Sequence, residues 1–177
     1  MRQIALLRGI NIGPRNRIAM PALRELLTSA GFEDVRTYVQ SGNVVLSSDR
    51  APERLAQELE GRIGEGFGLD IDVLVRTRDE LAEVVRRNPL DQVAVDPKRY
   101  QVSFLEAELP SEEIERLAAL AVGGERLRAI GRELYAWHPN GVARSRLWAG
   151  LADRALGVKA TARNWATTTT LLRIADE

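Results

Sequence analysis

The sequence lacks several residues on which common chemistries depend. It has 177 residues, no cysteine and one histidine, which excludes disulfide bonds, a thiol nucleophile and a metal centre built from several histidines. A single histidine also argues against a Ser-His-Asp triad. No run of hydrophobic residues approaches the roughly 20 that span a membrane, and the N-terminus lacks a signal-peptide pattern. These absences predict a soluble, cytoplasmic protein with no cofactor, no metal and no membrane partner.

Aromatic residues and lysines are also scarce. Aromatics make up 5% of the chain, and Lys98 and Lys159 are its only lysines among 25 basic residues. Acids balance the arginines overall, but six arginines face three acids in residues 1–36, and five arginines and a lysine face one acid in residues 140–173. The guanidinium fork suits phosphate and carboxylate groups, so the two basic ends favour an anionic ligand. Codon bias in a GC-rich genome is the alternative explanation for the arginines.

The hydrophobic pattern of the first half predicts a ferredoxin-like plait. Apolar runs and helical spacings alternate in the order strand, helix, strand, strand, helix, strand. The strands are expected at 3–7, 35–40, 44–47 and 71–75, and the helices at 21–30 and 52–65.

The second half repeats that order after a helix at 78–87 and a linker at 88–98. Its strands are expected at 100–105, 125–130, 133–137 and 158–161, and its helices at 111–121, 144–156 and 163–174. We therefore predict an α+β fold of two tandem ferredoxin-like (α/β-plait) subdomains with antiparallel sheets, residues 1–88 and residues 89–177. The duplication is one of element order, without a clear residue-level repeat.

Two polar segments are expected to meet at one end of the first sheet. The loop after the first strand and the turn between the second and third strands lie at the same end of a plait. Glycines there allow backbone N–H groups to approach a ligand, although loop glycines and asparagines also serve simply to close turns. The loop matches neither an NTPase loop nor a dinucleotide-binding motif. The predicted ligand-binding residues are Arg8, Gly9, Asn11, Gly13, Gln40, Ser41 and Asn43.

A third polar segment near the C-terminus adds Arg163 and Asn164 to these candidates, provided that it reaches the Arg8 loop. Thr161 is expected to cap the last helix, and Trp165 to act as a packing anchor more than a stacking platform. His138, before a Pro-Asn-Gly turn, is expected to be exposed to solvent. No residue suggests itself as catalytic.

Three stretches carry a family resemblance: Ala5–Gly13, Tyr38–Val45 and Thr161–Trp165. Together and in this order they resemble the bacterial family known as domain of unknown function 1697, over essentially the whole chain. The resemblance implies two α/β plaits in tandem and no established activity, cofactor or substrate. The sequence departs from the family pattern at Pro14, where a glycine is frequent, and at Ala166, where an asparagine is frequent.

Three functions compete on this basis. The first is a binding module for a phosphate-bearing ligand, a nucleotide or RNA, supported by the basic ends and the converging loops. The scarcity of aromatics, and a first strand without stacking residues, count against an RRM-like RNA surface. The second is an enzyme acting on a small anionic substrate, in which a carboxylate, lysine or tyrosine performs the acid–base chemistry. The third is a protein-interaction adaptor. The sequence leaves the oligomeric state open.

Overall fold

The computed structural model describes residues 1–152 and 154–177. The chain divides into two compact units, one formed by Met1–Glu83 with Thr170–Glu177 and the other by Val84–Thr169. Each unit holds a four-stranded antiparallel sheet, which confirms the predicted α+β fold. Among the described helices, none combines the length and the apolarity needed to cross a membrane.

The first sheet has the strand order of a ferredoxin-like plait. From one edge to the other the order is β2-β3-β1-β4, with every neighbouring pair antiparallel. Helices connect β1 to β2 and β3 to β4, as the plait requires. The elements are β1 (Arg2–Leu7), α1 (Met20–Ser29), β2 (Glu33–Tyr38), β3 (Asn43–Ser47), α2 (Pro52–Phe67) and β4 (Val73–Thr77).

Alternation along the strands of this sheet places one set of side chains against the two helices. Ala5 and Leu7 of β1 belong to that set, because residues two apart in a strand share a face. Leucines and an isoleucine spaced four residues apart in α1 and α2 meet them. The helical contribution to this core is Leu23, Leu27, Leu55, Leu59 and Ile63.

The second unit repeats the architecture, with the sheet order β6-β7-β5-β8. Its core combines one face of the sheet with leucines of two helices, among them Leu117 and Leu147. One further helix follows the last strand of each sheet. The remaining elements are α3 (Arg78–Arg87), β5 (Tyr100–Leu105), α4 (Ser111–Ala118), β6 (Arg126–Ile130), β7 (Glu133–Trp137), α5 (Arg146–Leu151), β8 (Ala160–Asn164) and α6 (Trp165–Asp176).

The duplication extends to individual strand positions, beyond the repeat of element order expected from the sequence. A buried glutamine is the second residue of both central strands, Gln3 in β1 and Gln101 in β5. The next residue of each strand pairs with a buried arginine of the neighbouring edge strand. These pairs are Ile4 with Arg76 and Val102 with Arg163.

The two halves differ in the lengths of their connections. The loop between the first strand and the first helix covers residues 8–19 in the first unit and residues 106–110 in the second. The connection from the third strand to the second helix shows the reverse, with residues 48–51 in the first unit and residues 138–145 in the second. Each unit therefore has one long connection, residues 8–19 in the first and residues 138–145 in the second. The first follows the first strand of its sheet and the second follows the third strand of its sheet, and these two strands end at opposite ends of a plait.

The last strand and helix begin two residues later than the sequence pattern predicted. β8 runs to Asn164, whose Oδ1 accepts a hydrogen bond from Thr167 N–H at 2.8 Å. Asn164, and not Thr161, therefore caps α6. The threonine tract is accommodated in this helix because the Thr168 and Thr169 hydroxyls donate to carbonyls four residues earlier.

The helix expected at 144–156 is shorter than predicted. It comprises α5 and a separate 3₁₀ turn at Arg154–Leu156. Residue 153, which the prediction placed inside the helix, lies outside the described residues.

Gly42, between β2 and β3, has both a conformational and a steric requirement for glycine. Its φ is +83°, and an added Cβ would lie 2.7 Å from Leu7 Cβ and from Ile10 Cδ1. We expect Gly42→Ala to lower the free energy of unfolding by about 3 kcal/mol, because left-handed backbone strain and overpacking act together. Urea denaturation measures the change.

Gly13→Ala is the matched control, since Gly13 is exposed and an added Cβ would meet nothing within 4 Å. We expect it to change stability by less than about 0.5 kcal/mol. Equal effects of the two substitutions would contradict the steric argument.

Candidate functional site

The loop of residues 8–19 and the turn of residues 39–42 border an open cleft at one end of the first sheet, which we call the loop–hairpin cleft. Its volume is about 460 Å³. The residues that line it are Asn11, Arg17, Ile18, Ala19 and Gln40.

Strand pairing brings the two segments together, as the plait order predicted. The antiparallel register of β1 and β3 pairs Leu6 with Asn43, and beyond it Leu7 N–H donates to Gly42 O at 2.9 Å. Asn11 Nδ2 then donates to Gln40 O at 2.7 Å. The loop is thus hydrogen-bonded directly to the turn.

Two isoleucines and one asparagine fix the path of the loop. Ile10 and Ile18 are buried in the core of the first unit. Between them, Asn11 donates through Nδ2 to Ile18 O at 2.8 Å and accepts at Oδ1 from Ile18 N–H at 2.9 Å. Asn11 N–H also donates to Asn16 O. Because the Asn11 side chain makes these bonds, it shapes the cleft wall.

The electrostatic character of the cleft is positive. Arg17 is exposed on its wall. Ala19, also on the wall, is the N-cap residue of α1, and no side chain there accepts a hydrogen bond from the first turn of the helix. The N-terminus of a helix carries a partial positive charge, so these two features act in the same direction.

The other residues predicted for this site occupy different positions around it. Arg8 is half-buried at the end of β1, where its N–H donates to Asp72 O. Gly9 adopts a positive φ of 68°, whereas Gly13 is not in the left-handed region. Ser41 is exposed at the turn. Of these four residues, none lines the cleft.

Asn43 closes the turn. Its side chain is fully buried, and Nδ2 donates to Tyr38 O at 3.0 Å and to Ser41 Oγ at 2.9 Å. These bonds direct the amide into the hairpin itself.

Arg163 and Asn164 lie in β8 of the second unit. Burial lowers the pKa of the Arg163 guanidinium to about 10. Its Nη1 donates to Thr161 Oγ1 and to Ala162 O. Trp165, directly after β8, stacks on Tyr100 with ring centroids 4.9 Å apart, so its packing role is confirmed.

The sequence pattern did not reveal two features beside the loop–hairpin cleft. Val39, adjacent to Gln40, has a φ of +49°, a conformation that strains a β-branched residue. Ile12, adjacent to Asn11, is 83% exposed. Backbone strain of this kind concentrates at functional sites.

His138 is fully buried, so the expectation that it is exposed was wrong. Its Nδ1 lies 2.6 Å from Glu125 Oε2, and Ser145 Oγ donates to the same oxygen at 2.6 Å. Glu125 precedes β6, His138 follows β7 and Ser145 caps α5 through Trp148 N–H. We call these three residues the Glu125 cluster.

The Glu125 cluster differs from a hydrolase triad. In a triad the acid and the serine contact opposite ring nitrogens, whereas Ser145 Oγ lies 3.3 Å from the same Nδ1 that faces Glu125. Burial would raise the pKa of Glu125, but hydrogen bonds from Ser145, His138 and the Val122 backbone outweigh it and hold that pKa below its ordinary value.

Comparisons with known proteins establish relatives and a shared fold. A family model described as "Protein of unknown function (DUF1697)" matches residues 1–135. The solved structure of the conserved bacterial protein SP0830 from Streptococcus pneumoniae is similar, with a TM-score of 0.77 and 22% sequence identity over 98% of each chain. No curated protein matches the chain.

Val39 provides a test of backbone strain at the loop–hairpin cleft. We expect Val39→Asn to raise the free energy of unfolding by about 1 kcal/mol, because asparagine tolerates a positive φ better than a β-branched residue does. Val39→Thr is the control, since it adds polarity but retains the branching, and it should give no such gain. A stability change shared by both variants would mean that polarity, and not strain, is responsible. Urea denaturation distinguishes the two cases.

Glu125 provides a pH-dependent test. Because its folded pKa lies below the ordinary value of 4.5, the ionised carboxylate stabilises the fold above pH 4.5, and this contribution is lost as the pH falls through the folded pKa. We therefore expect the stability difference between the wild type and Glu125→Gln to narrow below pH 4.5. Glu112→Gln, an exposed change in α4, should leave the wild-type profile unaltered. If the stability difference between the wild type and Glu125→Gln stays constant with pH, the pKa of Glu125 is not lowered in the folded state.

Proposed function

Since the chain belongs to the DUF1697 family of proteins of unknown function, we propose a function from its geometry: it is a binding module for a phosphate-bearing ligand, a nucleotide or RNA. The phosphate group would occupy the loop–hairpin cleft. The observation that carries this proposal is that Arg17 and the N-terminus of α1, which no side chain caps, both lie on the cleft wall.

The charge of the cleft supports an anion. Of the described residues that line it, Arg17 is a cation and none is an acid. The guanidinium offers two parallel N–H donors to phosphate oxygens, and the first turn of α1 adds a favourable dipole. The exposed Gln40 amide, which also lines the cleft, supplies a neutral donor.

The same lining supports binding more than catalysis. General acid–base chemistry needs a group that exchanges a proton near neutral pH. Among the described residues of the cleft wall, arginine is the only titratable type, and the guanidinium group is a hydrogen-bond donor without acceptor capacity. The enzyme alternative therefore finds no proton carrier among the described residues that line this cleft.

The remaining predicted residues have supporting parts in this proposal. Gly9 gives the loop its turn, while Gly13 and Ser41 leave space around the opening. Arg8, at the end of β1, adds long-range positive charge. In the second unit, Arg163 belongs to the basic stretch of residues 140–173, and a pKa of about 10 keeps it protonated at neutral pH.

Binding can be tested by thermal shift and calorimetry at low salt, with phosphate, pyrophosphate, ATP and a short single-stranded RNA as probes. A ligand at 100 times its Kd stabilises the folded state by about 2.7 kcal/mol. We expect Arg17→Ala to weaken phosphate binding by roughly tenfold or more, because a charge-assisted bidentate contact is lost. Arg8→Ala should weaken it less.

Arg15→Ala is the matched control, because Arg15 is an exposed arginine of the same loop that does not line the cleft. If Arg15→Ala and Arg17→Ala weaken binding equally, the loop attracts anions diffusely and the cleft is not the site. RNA binding should fall steeply as salt rises, which separates it from the recognition of a small nucleotide. Absence of binding by all four probes refutes the proposal.

A further inference from the structure

The Glu125 cluster opens onto a second, smaller cleft, which we call the Glu125 cleft. Its volume is about 200 Å³. Glu125 and Ser145 form part of its wall, with Asn140, Arg144 and two turn glycines, Gly123 and Gly141. All of these residues belong to the second unit, so the cleft is independent of the loop–hairpin cleft and of the function proposed for it.

The cluster is more elaborate than the local fold requires. Ser145 alone caps α5, because Trp148 N–H donates to its Oγ at 3.0 Å. Glu125 and His138 add a carboxylate and an imidazole with side-chain exposures of 7% and 0%. Taking such groups out of water is costly, and apolar residues of similar volume usually stabilise a fold as well or better. Buried titratable groups beside a cleft are typical of functional sites.

The carboxylate has room for one more hydrogen-bond donor. Its Oε2 accepts from His138 and Ser145, and its Oε1 accepts from Val122 N–H at 3.3 Å. An ionised carboxylate offers about four acceptor positions. Among the described contacts, one position on Oε1 is therefore unused, and Glu125 contributes to the cleft wall.

The cleft also carries a positive charge, opposite in sign to that of the Glu125 carboxylate. Arg144 is exposed on its wall, and the exposed amide of Asn140 adds neutral donors. The Glu125 carboxylate would repel a simple anion, and the Arg144 guanidinium would repel a simple cation. A ligand with both charges would find a partner for each. The cleft volume of about 200 Å³ is sufficient for a small amino acid.

We propose that the Glu125 cleft binds a small zwitterion of the free amino acid class, with its ammonium group toward Glu125 and its carboxylate on Arg144. The two glycine turns fit this role, because Gly123 and Gly141 have positive φ values and no side chains to fill the space between the turns. The imidazole of His138 then acts as a positioning residue, since it holds the carboxylate in place through Nδ1.

The single histidine makes the test direct. In a sample labelled with ¹⁵N-histidine, all side-chain imidazole signals come from His138. We expect glycine and L-alanine to shift these signals in a saturable way. Acetate and methylamine, which carry one charge each, should need at least about tenfold higher concentration, because each forfeits one charge-assisted contact.

Two arginine variants locate the carboxylate contact. Arg144→Ala should weaken binding of glycine by roughly tenfold or more. Arg146→Ala should leave it unchanged, because Arg146 is also exposed and follows Ser145 directly but does not line the cleft. Both residues are exposed, so neither change threatens folding.

Glu125→Gln tests the ammonium contact, with folding verified from the remaining amide signals. It should abolish the preference for glycine over acetate. An unshifted His138 signal with glycine and L-alanine overturns the proposal, as does an equal response to acetate. Binding that survives Arg144→Ala overturns it as well.

Discussion

The hydrogen bond from Leu7 N–H to Gly42 O closes one end of the first sheet, and the loop–hairpin cleft depends on it. The end of β1 and the turn approach each other so closely there that Gly42 has room only for a hydrogen atom in place of a side chain. Ile10 fills the remaining space. This contact fixes the turn, the turn offers Gln40 O to Asn11, and Asn11 holds Ile18 in place. The wall formed by Arg17 and Ala19 follows from that sequence of contacts. A change at the glycine thus acts on the cleft from a distance, without touching its lining.

Much of this arrangement could be predicted from the sequence. Hydrophobic periodicity identified the strands and helices, and the plait order then required the first loop and the first hairpin to meet. Asn11 and Gln40 were among the predicted residues and do line the cleft, but its cation could not be chosen in the same way. Arg8 follows the strand directly and was the obvious candidate, yet Arg17, further along the loop, lines the cleft. The difference arises because the burial of Ile10 and Ile18 sets the path of the loop, and a local pattern does not show which loop residues will be buried.

His138 illustrates a second limit of local patterns. A histidine followed by proline, asparagine and glycine has the composition of an exposed turn. Its burial results from partners 13 and 7 residues away in the chain, Glu125 and Ser145. Neither partner would be chosen as a core residue by hydropathy. A polar network of this kind is specified by mutual hydrogen bonding across three segments, so each member is uninformative when considered alone.

The matching registers of the two sheets have a consequence for how such a chain diversifies. Equivalent buried glutamines and arginines give both halves the same internal frame, while the long connection lies at one end of the first sheet and at the other end of the second. In a single plait, a substitution that reshapes the connections at one end of the sheet must also preserve the structure at the other end. A duplicated plait relaxes that constraint, because each copy can keep one end short and rigid while its other end changes freely. The chain can therefore acquire a second specificity without giving up the first.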